Sequence, residues 1–181
     1  MAYVLNRVNR SINRAAVEQL ALGRSDSVLE IGFGGGAALE TILSQTDGPV
    51  AGIEVSEPMI RHVQRRFRRQ IDDGRLEVSH ADVARIPYED ESFDRVLSVN
   101  TIYFWPDAAA AMGEVHRVLR SGGRVVFATQ AKEEMEKHAW TEHGFRTFAD
   151  ATLEDLISAA GFGSVRVERR GTRVFSTGVK R

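Results

Sequence analysis

The sequence predicts a doubly wound α/β sheet, mostly parallel and seven-stranded, and three observations carry that prediction. Short apolar runs alternate with amphipathic stretches five times between Val28 and Gly161, and every parallel crossover needs an intervening helix. The first apolar run ends in a glycine-rich turn, Gly32-Phe-Gly-Gly-Gly36. The last two runs, over 165–169 and 173–177, are joined by a short turn at Arg170-Gly171, so they form an antiparallel hairpin at one edge.

The elements follow in order. A helix is expected over 6–22, stopped by Gly23. Val28-Leu-Glu-Ile31 is a strand running into the glycine turn, and the next helix puts Leu39, Ile42 and Leu43 on one face. Gly48-Pro49 marks a turn before a second strand over 50–55. Ser56 is a suitable N-cap for a helix that buries Ile60, Val63 and Phe67. A turn at Asp72-Asp-Gly74 leads to a third strand over 76–80, and a fourth covers 93–100. Pro106 and Asp107 open a helix carrying Met112, Val115 and Leu119, which Ser121-Gly-Gly123 is expected to end before a fifth strand over 124–129. Residues 130–150 are polar with scattered aromatics. Thr152 followed by Asp155 reads as a capping box, starting a helix with Leu153, Leu156 and Ile157 that Gly161 terminates.

A chain of 181 residues suits one core. Hydrophobic residues at 43% and charged residues at 27% exclude a disordered or collagen-like chain. Bases and acids nearly cancel, 24 against 25, which gives no electrostatic case for nucleic acid as the main partner. The five arginines between Arg61 and Arg69 lie opposite Ile60, Val63 and Phe67 and read as a solvated face. The absence of cysteine excludes disulfides, thiolate metal sites and a catalytic thiol, and no metal site is expected. No apolar run reaches the roughly 18 residues of a membrane span. The apolar start Met1-Ala-Tyr-Val-Leu5 is too short for a signal peptide. A basic amphipathic helix of the domain is preferred there over an Arg-rich transit peptide, and a cytoplasmic location is expected.

In doubly wound sheets ligands lie beyond the carboxyl ends of the strands, which directs attention to 32–36, 54–56, 80–83 and 100–105. Glycines there let the backbone turn sharply and let a ligand approach the main chain. Gly32, Gly34 and Ala37 also satisfy the relaxed dinucleotide pattern G-x-G-x-x-A. Glu54 stands at the end of the second strand, where a carboxylate accepts hydrogen bonds from both hydroxyls of a ribose; its alternative use is to stabilise the positive end of the next helix. Asp82, past the third strand, is placed either to accept from an adenine amine or to cap a turn.

Together, Val28-Leu-Glu-Ile-Gly-Phe-Gly-Gly-Gly36, Gly52-Ile-Glu-Val-Ser56, Ala81-Asp82, Ser92-Phe-Asp-Arg-Val96 and Arg117-Val-Leu-Arg-Ser-Gly-Gly123 occur in register. This set resembles the class I S-adenosylmethionine-dependent methyltransferases, in particular the small-molecule branch of the ubiquinone/menaquinone-biosynthesis type, over about residues 25–177. The resemblance implies a Rossmann-like sheet of order 3-2-1-4-5-7-6 and S-adenosylmethionine as cofactor. It implies that Glu30 organises the glycine loop and the methionine end, and that Gly32, Gly34 and Gly36 pass under the cofactor. Glu54 would hold the ribose, Val55 and Met59 the adenine face, Asp82 the adenine amine with Val83 beside it, and Asn100 and Thr101 the amino-acid end and the methyl. Ser121 in place of a usual proline and Glu30 in place of the commoner aspartate are mild departures.

The function expected is methyl transfer by in-line displacement to an oxygen, nitrogen or carbon of a small molecule. The alternatives are a nicotinamide-dependent oxidoreductase, against which Glu30 and Asp82 speak, and a non-catalytic cofactor-binding module. Candidate bases are Tyr103, His138 and His143, though both histidines read more readily as substrate wall or surface. Tyr3, Phe33, Trp105, Trp140 and Phe145 are candidate substrate-wall residues, whereas Phe104 is assigned to core packing. The chain is read as one domain over 1–181, with an N-terminal helical cap over 1–24 and a lid or substrate wall over 130–150. Asn100-Thr-Ile-Tyr103 lacks both prolines of the Asn-Pro-Pro-aromatic motif of amino-methylating DNA enzymes. A small-molecule acceptor, not nucleic acid or membrane, is the expected partner.

Overall fold

The computed structural model describes the backbone of residues 2–137 and 146–181 and the side chains of 11–137 and 146–181. Its strands are β1 (Val28–Ile31), β2 (Val50–Glu54), β3 (Leu76–His80), β4 (Phe93–Val99), β5 (Leu119–Gln130), β6 (Phe162–Arg170) and β7 (Arg173–Lys180). They form one sheet of order β3-β2-β1-β4-β5-β7-β6. The first five strands are parallel, and β7 runs antiparallel to both β5 and β6. The helices are α1 (Ala2–Leu20), α2 (Ala37–Gln45), α3 (Glu57–Arg66), α4 (Arg68–Asp72), α5 (Ala108–Val118), α6 (Lys132–Met135) and α7 (Asp150–Ala159).

Strand periodicity sorts the core into two layers, because successive side chains point to opposite faces. Leu29, Val96, Val125 and Phe127 pack with Met112 and Val115 of α5 and Leu153 and Ile157 of α7. Val28, Leu97, Val126 and Ala128 pack on the other face with Ile12, Val17 and Leu20 of α1, Leu39 and Ile42 of α2 and Val63 of α3. The N-terminal helix is therefore part of the second layer as well as a neighbour of the carboxyl ends. Among the described residues no helix is long and apolar enough to cross a membrane.

Several boundaries differ from expectation for local reasons. α1 begins at Ala2, ahead of the residue-6 start expected. α5 ends at Val118, and Ser121-Gly-Gly123 does not terminate it. Instead the β4–β5 register jumps from Phe93–Leu119 to Arg95–Arg124, so the Gly-Gly pair lies in a bulge within β5. Thr152 is not an N-cap: α7 starts at Asp150 with Ala149 in the cap position and no capping side chain. Asp107, by contrast, caps α5 by accepting from the Ala110 N–H at 2.9 Å.

Gly36 also differs. It is absent from the cavity wall and is the first residue before α2, with φ 75°. A Cβ there would lie 2.7 Å from the Phe67 ring and 3.1 Å from Val63. Its smallness lets the end of α3 close onto the start of α2. Gly36→Ala should therefore destabilise the fold by about 1–3 kcal/mol, combining an unfavourable φ with an overpacked contact. Chemical denaturation reads this directly, and a variant as stable as the parent would contradict it.

Candidate active site

A cavity of about 660 Å3 opens at the carboxyl ends of the parallel strands. Each predicted loop reaches it: Gly32 and Gly34 after β1, Glu54, Val55 and Met59 at the end of β2, Asp82 and Val83 after β3, and Asn100, Thr101, Tyr103 and Trp105 after β4.

Glu54 organises the floor. Its Oε2 accepts the Gly34 N–H at 2.9 Å. Its Oε1 accepts the Val55 N–H at 2.9 Å and the Ser56 N–H at 3.0 Å. One carboxylate thus ties the glycine loop to the turn that opens α3. The ligand and helix-end readings of Glu54 are compatible, because each oxygen accepts more than one hydrogen bond. Gly32, with φ 72°, donates its N–H to Ile53 O at 2.8 Å. A side chain there would strike the Thr101 methyl, so only glycine lets β1 turn beneath the end of β4.

Glu30 is 3% exposed, and its Oε2 has no hydrogen-bond partner. Burial, reinforced by the nearby charge of Glu54 and opposed by a hydrogen bond from the Leu39 backbone, pushes its carboxyl up to about 8. Asp82 uses one oxygen to cap the short turn Val83–Arg85, accepting from the Ala84 N–H at 2.8 Å. The capping role is thus present in a residue that also lines the cavity. Val55, 60% exposed, stands at the rim.

After β4 the chain makes a tight turn with Asn100 at φ 56°. The Tyr103 hydroxyl donates to Asn100 Oδ1 at 3.0 Å and accepts from the Gln130 N–H at 2.5 Å. Burial raises its pKa to about 12. Burial therefore works against the phenolate that a base would need. Phe104 is corrected: it is 62% exposed at the mouth, not packed in the core. Phe33 and Trp105 line the cavity with rings that are 3% and 4% exposed. Trp105 meets Phe127 edge to face at 5.9 Å, so both aromatics are core residues as much as wall. His138, Trp140, His143 and Phe145 lie outside the described residues, as does the Tyr3 side chain.

The wall also contains residues that sequence reasoning missed. Asn13 comes from α1, Gln130 from the end of β5, Glu134 and Met135 from α6, and Thr172 from the β6–β7 turn. Gln130 was within reach of the carboxyl-end rule, whereas nothing local distinguishes Asn13 or Thr172. Among the described residues the wall carries four carboxylates, Glu30, Glu54, Asp82 and Glu134, and no Lys, Arg or His. Such a site favours a cation over a pyrophosphate, and the unpartnered Glu30 oxygen fits a ligand bearing sulfonium and ammonium charges. Among the described residues no group of three His, Cys, Asp or Glu could hold a metal ion.

A sheet of this order with a glycine floor and acids at the ends of its first three strands defines a class I S-adenosylmethionine-dependent methyltransferase. Residues 29–127, more than half of the chain, match the model described as methyltransferase domain, and the chain belongs to that family. It is 27% identical over 167 residues to the uncharacterized methyltransferase YdaC of Bacillus subtilis, covering 92% of this chain and 87% of that one. It is 31% identical over 121 residues to the ubiquinone/menaquinone biosynthesis C-methyltransferase UbiE of a Geobacter species, covering 66% and 52%. Other curated relatives are longer, and the chain spans from 38% to 65% of their length. The solved Thermotoga maritima S-adenosylmethionine-dependent methyltransferase, possibly a histamine N-methyltransferase, superposes with a TM-score of 0.80. It shares 24% identity, over 99% of this chain and 92% of that one. The family sets aside the nicotinamide reading.

The buried acid also makes a stability prediction. Folding holds on Glu30 a proton that the unfolded chain, with its ordinary value of 4.5, releases. The contribution to stability is thus full below pH 4.5, declines as pH rises and is lost through a folded value of about 8. Denaturation of the ligand-free protein across pH 5–8 should show this decline, and Glu30→Gln should flatten it. An equal slope in both proteins would contradict the assignment.

Proposed function

We propose that this methyltransferase acts on a small organic acceptor at an oxygen, nitrogen or carbon atom. The observation that carries this reading is the cavity. About 660 Å3, walled by α1, α6 and the β6–β7 turn, suits a nucleoside-sized cofactor with one compact acceptor. The charge-balanced chain offers no electrostatic track for a polyanion. The small-molecule product named in the UbiE description points the same way for that relative.

In this reading Glu54, held in place by three backbone N–H groups, accepts from the ribose hydroxyls, and Asp82 accepts from the adenine amine. Val55, Met59 and Val83 bracket the purine. Gly32 and Gly34 pass beneath the cofactor, Glu30 offsets the positive methionine end, and Asn100 and Thr101 flank the transferred group. When bound, S-adenosylmethionine supplies an electrophilic methyl on a positively charged sulfur. The protein's own contribution is alignment and exclusion of water: its residues fix one line of approach for the nucleophile, and the apolar wall at Val99, Trp105 and Met135 keeps solvent away. A base is required only for acceptors that must lose a proton. His138 and His143 remain the candidates, though both lie outside the described residues; the described part of the 130–150 segment, at Gln130, Glu134 and Met135, is read as substrate wall of a single domain. The enzyme is proposed to work in the cytoplasm.

Glu54→Ala and Asp82→Ala should each weaken S-adenosylhomocysteine binding about 10- to 100-fold, the cost of one or two charge-assisted hydrogen bonds. Titration calorimetry measures this, and unchanged affinity in both variants would remove the assigned roles. Methyl release from labelled S-adenosylmethionine against phenols, amines and enolisable ketones tests the acceptor class. Transfer to polynucleotide alone would overturn it.

A further inference from the structure

The chain between β3 and β4 carries the cavity residues Asp82 and Val83 but no helix longer than the turn Val83–Arg85. Side chains of α5 supply the anchorage that a longer helix would give. Glu114 and Arg117, three residues apart, share one face of α5. Glu114 Oε2 accepts the Ile86 N–H at 2.9 Å. Arg117 donates from Nη2 to Ile86 O at 3.0 Å, and from Nη1 to Tyr88 O at 2.8 Å and Asp90 Oδ1 at 2.9 Å. Its Nε and Nη2 also donate to Glu114 Oε1 and Oε2 at 2.8 and 2.9 Å. Its own carbonyl accepts the Glu91 N–H at 3.0 Å.

A guanidinium has five N–H donors in a fixed fork, and these five contacts engage every one of them. An ammonium, with three donors, cannot copy that pattern. At its other end the segment is tied to β2, where the Ala81 N–H donates to Glu54 O at 3.2 Å. Between the two ties lies one tight turn, flanked by Asp82 and Ile86. Asp82 closes it, accepting the Ala84 N–H on its side chain and the Arg85 N–H on its carbonyl. Val83 and Ile86 are buried in the core layer that α5 covers. The grip on Ile86 therefore fixes where Asp82 stands at the cavity.

We propose that Glu114 and Arg117 are positioning residues for cofactor recognition, which hold Asp82 where it selects a purine bearing a 6-amine. Resting on the assignment of Asp82 to the adenine amine above, this makes selectivity for the amine a property of a helix whose two gripping side chains lie outside the cavity wall. Neither touches the cofactor, and their action passes through the turn.

Two measurements on the whole chain separate the grip from the recognition. In nitrogen-15-labelled protein, Arg117→Lys and Glu114→Ala should each lower the hydrogen-exchange protection of the Ile86 N–H by about 10-fold or more. The reference is the Val126 N–H, which lies between two neighbouring strands and tracks the global fold. Unchanged relative protection in both variants would overturn the grip whatever the protein binds. Titration calorimetry then compares S-adenosylhomocysteine with its analogue carrying hydrogen in place of the purine 6-amine. The parent should prefer the amine about 10-fold, and Asp82→Ala should abolish the preference. In Arg117→Lys and Glu114→Ala the preference should fall below about threefold, with affinity for the analogue within about threefold of the parent. Glu114→Gln keeps an acceptor for the Ile86 N–H and should retain more of the preference than Glu114→Ala. A purely structural pair would lower stability and leave the preference at its parental value, and that result would overturn the positioning role. A preference that survives Asp82→Ala would instead overturn the Asp82 assignment and the positioning role with it, while the exchange result still stands for the grip.

Discussion

The Glu54 carboxylate is the interaction on which the site depends. It is the last residue of β2, and it accepts backbone N–H groups from the glycine loop on one oxygen and from the start of the next helix on the other. Three chain segments thereby meet at one charged group. The glycine loop can take that position only because Gly32 turns beneath Thr101 with no Cβ in the way. Glu54 also supplies part of the field that keeps Glu30 protonated near neutral pH. The acid proposed to hold the ribose is thus also what shapes the floor beneath it.

The second constraint is electrostatic. Four carboxylates converge on one cavity with no described base in its wall. Without a ligand the arrangement is relieved in two ways: Glu30 takes up a proton, and Glu54 and Asp82 draw on backbone N–H groups. A cationic cofactor offers the same relief from inside the cavity. The site is built for a positive ligand, and its cost to the ligand-free fold is a buried acid that must stay neutral.

Much of the architecture was legible in sequence because its causes are local. Alternating apolar residues placed Leu29 and Val28 on opposite faces, and the missing helix between the last two strands announced the hairpin. The acids at strand ends were legible because parallel sheets bind ligands there. What was misread depends on distant partners. Gly36 looked like the glycines before it, yet its neighbours are Phe67 and Val63, some thirty residues away in sequence. Tyr103 is a candidate base by position, but its hydroxyl meets Gln130, 27 residues further on, a partner that no local pattern announces. Phe104 looked like core, but the turn Ile102–Phe104 buries Ile102 and Tyr103 and turns Phe104 outward. Asn13 and Thr172 reach the cavity only through the packing of α1 and the antiparallel return of β7. The acceptor end of the pocket is assembled from such pieces, so its specificity is the part least written in any one motif.

The most direct measurement is a crystal structure of the complex with S-adenosylhomocysteine. The account predicts the ribose hydroxyls within hydrogen-bond distance of Glu54, the adenine amine at Asp82 and the sulfur facing Asn100. A ligand seated in the cavity with its ribose away from Glu54, or one bound outside the cavity, would contradict it.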